Sequence, residues 1–137
     1  MEKLRVACAT DDGIHFVDRH FGDAQHYDIY EVFPGRITFI KRIDNSTEEE
    51  AEEVHGDPKK AKGIAGILTG EDVQAATTRV FGPNIMRIKE KFVCILSGTP
   101  EIEKGLEKIR QNFALVVEEW MKGGDRNFLD FRKVELV

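Results

Sequence analysis

The 137-residue chain has only two cysteines, Cys8 and Cys94, and each stands inside an apolar run, "RVACAT" and "KFVCILS". Thiols in that setting fit neither a disulfide framework nor a zinc knuckle; they suit a reducing compartment and read as small core residues. They are also too few for a permanently bound iron-sulfur cluster, which is normally held by several thiolates. Basic charge is not in surplus either. Lys and Arg number 20 against 25 Asp and Glu, a net charge of −5, so the surface as a whole does not attract nucleic acid or anionic lipid, and any anion must be held locally. Long apolar stretches are missing too: "MEKLRVACAT" carries acid and base around a run far below signal-peptide or membrane-span length. A cytoplasmic protein without nucleic-acid or membrane partners is expected. No loop carries a Walker A pattern or a dinucleotide fingerprint.

What is present reads as one α/β domain, with 41% hydrophobic content and enough length for a real core. Leu4–Ala9 is the continuous apolar run of a buried central strand, closed by the turn "TDDG". Tyr27–Phe33 and Arg36–Ile43 are rich in aromatic and β-branched residues, and Pro34-Gly35 between them predicts an antiparallel hairpin. Asn45–Val54, with five glutamates, reads as a solvated loop or frayed helix. A first helix is expected over "DPKKAKGIAGILTG", with Asp57 as cap, Pro58 at its first position and Gly70 as stop. Val73–Thr77, the segment opened by Pro83, and Phe92–Ser97 follow as strand, short helix and strand. Apolar residues at Ile102, Leu106, Ile109, Phe113, Val116 and Trp120 predict one long third helix ending at Gly123-Gly124. The tail after it carries aromatic residues able to pack back on the domain and a last segment able to pair as an edge strand, with no one place fixed by the sequence.

This order fixes a mixed five-stranded sheet, a hairpin plus parallel strands, with helices on both faces. The carboxyl ends of strands one, three, four and five then share one edge with the loops "TDDG…HFGD", "VHGDP", "RVFGPN" and "SGTP" and with the amino ends of the helices. Ligands of open α/β sheets bind at such an edge, and helix amino ends favour anions. Lys59, Lys60 and Lys62 in the first turns of helix one oppose its dipole; an anion beside them would offset this, and so would the glutamates just upstream. Gly13, Gly22, Gly56, Gly82 and Gly98 punctuate the loops, as glycine does where a ligand approaches closely and also in any turn. His20, just before the second strand, is either a ligand or the polar tip of a turn.

The stretches "VACATDDG", "HFGDAQHYDIYEV", the "HG" before helix one and the "FGPN" before helix two resemble the nitrogenase iron-molybdenum cofactor biosynthesis accessory family, the group of NifX, NafY and the C-terminal domain of NifB. The resemblance spans roughly Leu4 to Phe113. It implies a ribonuclease-H-like fold and transient, non-catalytic binding of an iron-sulfur or molybdenum-containing sulfide cluster, with cluster donor or acceptor proteins as partners. His20, Phe21 and Gly22 match the family's "HFG", and His55-Gly56 its His-Gly pair. The resemblance makes His20 and His55 the metal ligands. Thr10, Asp11, Gly13, Phe21, Gly22, Gly56, Lys59, Gly82, Asn84 and Gly98 are the residues expected to cradle the anionic sulfides. A cluster-binding domain over 1–113 and a C-terminal extension over 114–137, packed on the same domain, complete the expectation; homodimerisation is left open. Two other classes compete. One is a regulatory or adaptor domain binding a nucleotide or small anion at "TDDG" and "SGTP". The other is a two-metal nuclease, for which Asp11 and Asp12 would need a carboxylate partner that "VQAATT" does not supply.

Overall fold

A computed structural model describes residues 1–45, 58–83 and 85–137, with the backbone alone at 58–62 and 87. The glutamate-rich segment, the cap Asp57 and the candidates His55, Gly56 and Asn84 lie outside the described residues, as does the side chain of Lys59. Strand β1 (Leu4–Thr10) is central. β2 (His26–Phe33) runs antiparallel to it, from Leu4 opposite Val32 to Thr10 opposite His26, and β3 (Arg36–Asp44) returns beside β2 through the Pro34-Gly35 turn. Helix α1 (Pro58–Gly70) crosses to β4 (Ala75–Thr78), which lies parallel to β1. The short α2 (Ile85–Ile88) leads to β5 (Val93–Leu96), parallel to β4.

The expected count of five strands is corrected to six. The sheet order is β3-β2-β1-β4-β5-β6, where β6 (Leu129–Asp130) comes from the tail and pairs parallel to β5. The predicted third helix is also two helices, α3 (Ile102–Gln111) and α4 (Phe113–Trp120). Asn112 separates them at φ −115°, ψ 31°, and its side-chain amide donates to the Lys108 carbonyl at 2.8 Å. Such a local side-chain-to-backbone bond competes with helix continuation, while the apolar spacing carries on through the break.

β1 is buried along both faces except at the half-buried Arg5, as expected of a central strand covered on both sides. Ala7 and Ala9 face a core of Phe21, Tyr27, Ile29, Phe81 and Phe92 with Ile64 and Leu68 of α1. Val6 and Cys8 face a second core of Val32, Val93 and Ile95 with Ile102, Leu106 and Ile109 of α3. Val116 and Phe131, beyond α3, belong to that second core. β1, β4, β5 and β6 run parallel and end at one edge, where the described loops after β1, β4 and β5 meet.

Candidate functional site

The turn after β1 satisfies itself. The Thr10 hydroxyl donates to the His15 carbonyl at 2.6 Å and accepts from the Gly13 amide at 2.8 Å, while Thr10 is wholly buried. Asp12 accepts from the amides of Ile14 and His15 at 2.8 and 2.7 Å and pairs with the His15 ring at 2.8 Å. Asp11 takes both arms of Arg19, at 2.7 and 3.0 Å, and the Gln25 amide at 2.9 Å. Gly13 adopts φ +80°, and a Cβ there would lie 2.5 Å from Nη2 of Arg42. Thr10, Asp11 and Gly13 thus shape the loop. The same loop is tied to "SGTP": the Phe16 amide donates to the Pro100 carbonyl and the Ile102 amide to the Ile14 carbonyl, both at 2.9 Å.

These bonds carry a pH dependence. The His15 amide, the His15 ring and the Ile14 amide hold Asp12 well below the usual carboxylate range. Burial pushes Asp11 up, but the Arg19 guanidinium and the Gln25 amide outweigh it and hold it low. A lowered folded-state value stabilises above the unfolded value, near pH ~4, and that contribution is lost as pH falls toward the folded one. Urea midpoints are expected to decline below about pH 4, and Asp12→Asn should flatten that decline. An unchanged slope in the variant would contradict the assignment.

Beyond this turn the chain brings two distant motifs together. His20 forms a parallel bridge with Val80, just after β4. The Phe21 ring, wholly buried, stacks on Phe81 at a centroid separation of 5.5 Å and tilts against Tyr27 at 5.0 Å. Phe21 therefore anchors the "HFG" loop in the core and offers no side chain to the surface. Next to it, Gly82 adopts φ +78°, and a Cβ there would lie 2.6 Å from Cγ of His20. Only glycine admits both that backbone conformation and the close imidazole. The His20 side chain is 53% exposed, with Asp23 Oδ2 at 4.0 Å from its Nδ1.

The loop is clamped from below by residues that the sequence does not single out. The Tyr27 hydroxyl donates to the Phe21 carbonyl at 2.7 Å, and the Asn45 side-chain amide donates to the carbonyls of Gly22 and Ala24 at 3.0 and 2.8 Å. Nothing local marks Asn45 for this role. Of the other histidines, His15 is engaged with Asp12 and His26 with Asp44 at 2.7 Å. Gly98 meets the tail: a Cβ there would collide with the backbone of Arg132, so its glycine is explained by packing.

Among the described residues, no three or more His, Cys, Asp or Glu side chains gather where they could hold a metal ion, and β4 carries no carboxylate. Burial, and then the charge of Asp28, pushes the Cys8 thiol well up, and burial pushes Cys94 up to about 12. Such thiols are poor ligands and poor nucleophiles. Both should stay unlabelled by a maleimide in the native protein and react fully once it is unfolded; rapid native labelling of either would refute the core assignment.

What matches this arrangement in other proteins decides the family. The model of the family described as dinitrogenase iron-molybdenum cofactor matches residues 2–112, most of the chain. The chain belongs to the dinitrogenase iron-molybdenum cofactor family. Membership links it to the handling of the nitrogenase iron-molybdenum cofactor, and both "HFG" and "FG" of the paired loops fall within the matched region. A solved structure from Methanocaldococcus jannaschii, described as that of a candidate dinitrogenase, is similar at a TM-score of 0.58 and 17% identity, over 82% of this chain and 92% of that one. At that identity the likeness concerns the fold. No match was found among functionally curated proteins. The family match ends at Asn112, so α4, β6 and the tail lie beyond it.

Proposed function

We propose that this chain is a non-catalytic carrier of an iron-sulfur or molybdenum-containing sulfide cluster, bound transiently as cargo during metallocofactor biosynthesis or delivery. The observation that carries the reading is the meeting of His20 with Gly82: a half-exposed imidazole, backed by a side-chain-free surface, on a loop fixed by Phe21, Tyr27 and Asn45. A neutral imidazole can ligate an exposed metal of such a cluster, and loop amides can face its anionic sulfides. With the two thiols buried, a grip through one or two imidazoles is loose, which suits a protein that must release what it holds. His55 is the second ligand in this reading, and Gly22, Gly56, Lys59, Gly82 and Asn84 form the cradle. Cytoplasmic cluster donors and acceptors are the partners. The strand order and the antiparallel β2 support a ribonuclease-H-like label for the fold, without its nuclease chemistry.

Anaerobic incubation with iron-sulfur or molybdenum-sulfide clusters, followed by desalting, metal analysis and a visible spectrum, tests the reading. Retained metal with sulfide-to-metal charge-transfer bands is expected, and no retention by the wild type would refute it. With Mg²⁺ or Mn²⁺ alone, the chelator-treated protein should leave RNA, DNA and nucleoside triphosphates intact. Metal-dependent cleavage that disappears in Asp11→Asn would favour the nuclease reading instead.

A further inference from the structure

The His20 site borders a second feature. A cleft of about 290 Å³ opens at the ends of β4 and β5, lined by Asp18, Arg79, Val80, Ser97, Gly98, Pro100 and Arg132. Val80 belongs to both, since it lines this cleft and bridges to His20. Two guanidinium-bearing residues share the cleft in a chain of net charge −5. Among the described residues, Arg79 pairs loosely with Asp18 at 3.5 Å, and the Asp18 side chain is 79% exposed. That partner is weakly held and readily displaced. Arg132 is gripped by Asp130, through Nε at 2.8 Å and Nη2 at 2.7 Å, and Asp130 is not among the lining residues.

Arg132 owes its place to the C-terminal extension. The Phe131 amide donates to the Leu96 carbonyl at 2.9 Å, and the buried Lys108 ammonium donates to the Phe131 carbonyl at 3.2 Å. Gly98 leaves room for the Arg132 backbone, where any side chain would collide. Upstream, Arg126 anchors the strap. Its guanidinium lies 4.1 Å from the Trp120 ring centroid and donates to the carbonyls of Trp120 and Glu90.

We propose that Arg79 and Arg132 form an anion subsite beside His20, assembled by the C-terminal extension, which takes a small dianionic group of oxyanion or sulfide type. Resting on the carrier reading, it assigns these two residues the anionic face of a cargo whose metal meets His20, and it makes the extension a determinant of which cargo is accepted. Guanidinium donors suit such a face better than a point charge does, because several N–H groups can engage it at once.

Full-length protein labelled with ¹⁵N is titrated with inorganic sulfate at constant ionic strength, with chloride as the control. Saturable shifts are expected at the Nε–H signal of Arg79, at the Nη signals of Arg132 and at the Gly98 amide, and roughly tenfold weaker sulfate binding in Arg79→Ala and in Arg132→Ala. Lys133→Ala, a neighbouring exposed charge, should bind like the wild type. Cluster retention should fall about tenfold in the Arg79→Ala/Arg132→Ala double variant. Sulfate shifts that are absent, or weakened as much by Lys133→Ala, would overturn the subsite, as would a double variant that holds cluster like the wild type. Sulfate binding with the expected arginine dependence, in a wild type that takes up no cluster, would uphold the subsite and refute the carrier reading.

Discussion

A chain ending at Asn112 is expected to lose cooperative folding, although it contains the whole region matched by the family. Val116 is wholly buried and Phe131 is 3% exposed, and Phe113, Val117, Trp120, Leu129 and Val134 pack against the same core. Each fully buried side chain of this size is worth about 1.5–3 kcal/mol, and the partly buried ones add to that. Against a total of about 5–15 kcal/mol for an ordinary domain, losing the set removes most of the stability. The cut also strips β6 from β5 and leaves an open edge beside Ile95, which invites aggregation. Urea unfolding followed by circular dichroism, with size-exclusion chromatography, would report this. A truncated chain that unfolds cooperatively within about 1 kcal/mol of the full one would contradict the account; mutational differences of that size are ordinary.

Gly82→Ala is expected to act in two ways. The left-handed backbone costs a non-glycine residue about 1–2 kcal/mol, and the new Cβ would lie 2.6 Å from Cγ of His20, so the imidazole must leave its place. Stability should drop by roughly that amount, in line with the usual cost of strained backbone, while cluster retention falls by an order of magnitude or more. Gly98→Ala makes an informative contrast, since its Cβ would strike the Arg132 backbone and displace the tail. Its first consequence should be lost stability at β6. Comparable stability loss in the two variants with equal cluster retention would show that Gly82 serves packing alone.

Much of the fold is legible in the chain because its signals are local. The run Leu4–Ala9, the Pro34-Gly35 turn and the Pro58 and Gly70 boundaries each depend on a few adjacent residues. The break at Asn112 is not legible, because Ile109, Phe113 and Val116 keep helical spacing across it while the backbone of that one residue leaves the helical conformation. β6 is two residues long and is defined by its pairing with β5, so no run of apolar residues announces it. At the site, "HFG" and "FGPN" stand out as loops, but the stacking of Phe21 on Phe81 and the seat of His20 on Gly82 arise only when β1 and β4 lie side by side. The clamp from Asn45 reaches back 23 residues to Gly22, and nothing in the intervening chain points to it. Glycines at 13 and 98, which read as places for a ligand, are occupied by Arg42 and Arg132 of the protein itself.

Direct ligation by His20 can be observed on the metal. The protein, loaded with a paramagnetic cluster and carrying ¹⁵N-labelled histidine, is examined by pulsed electron paramagnetic resonance. A strong ¹⁵N hyperfine coupling from a bound imidazole is expected in the wild type, with loss of that coupling and of most of the metal in His20→Ala, whose fold stability should change little because the side chain is half exposed. A cluster-loaded wild type without histidine coupling, or a His20→Ala variant that keeps the same coupling and metal content, would contradict the assignment.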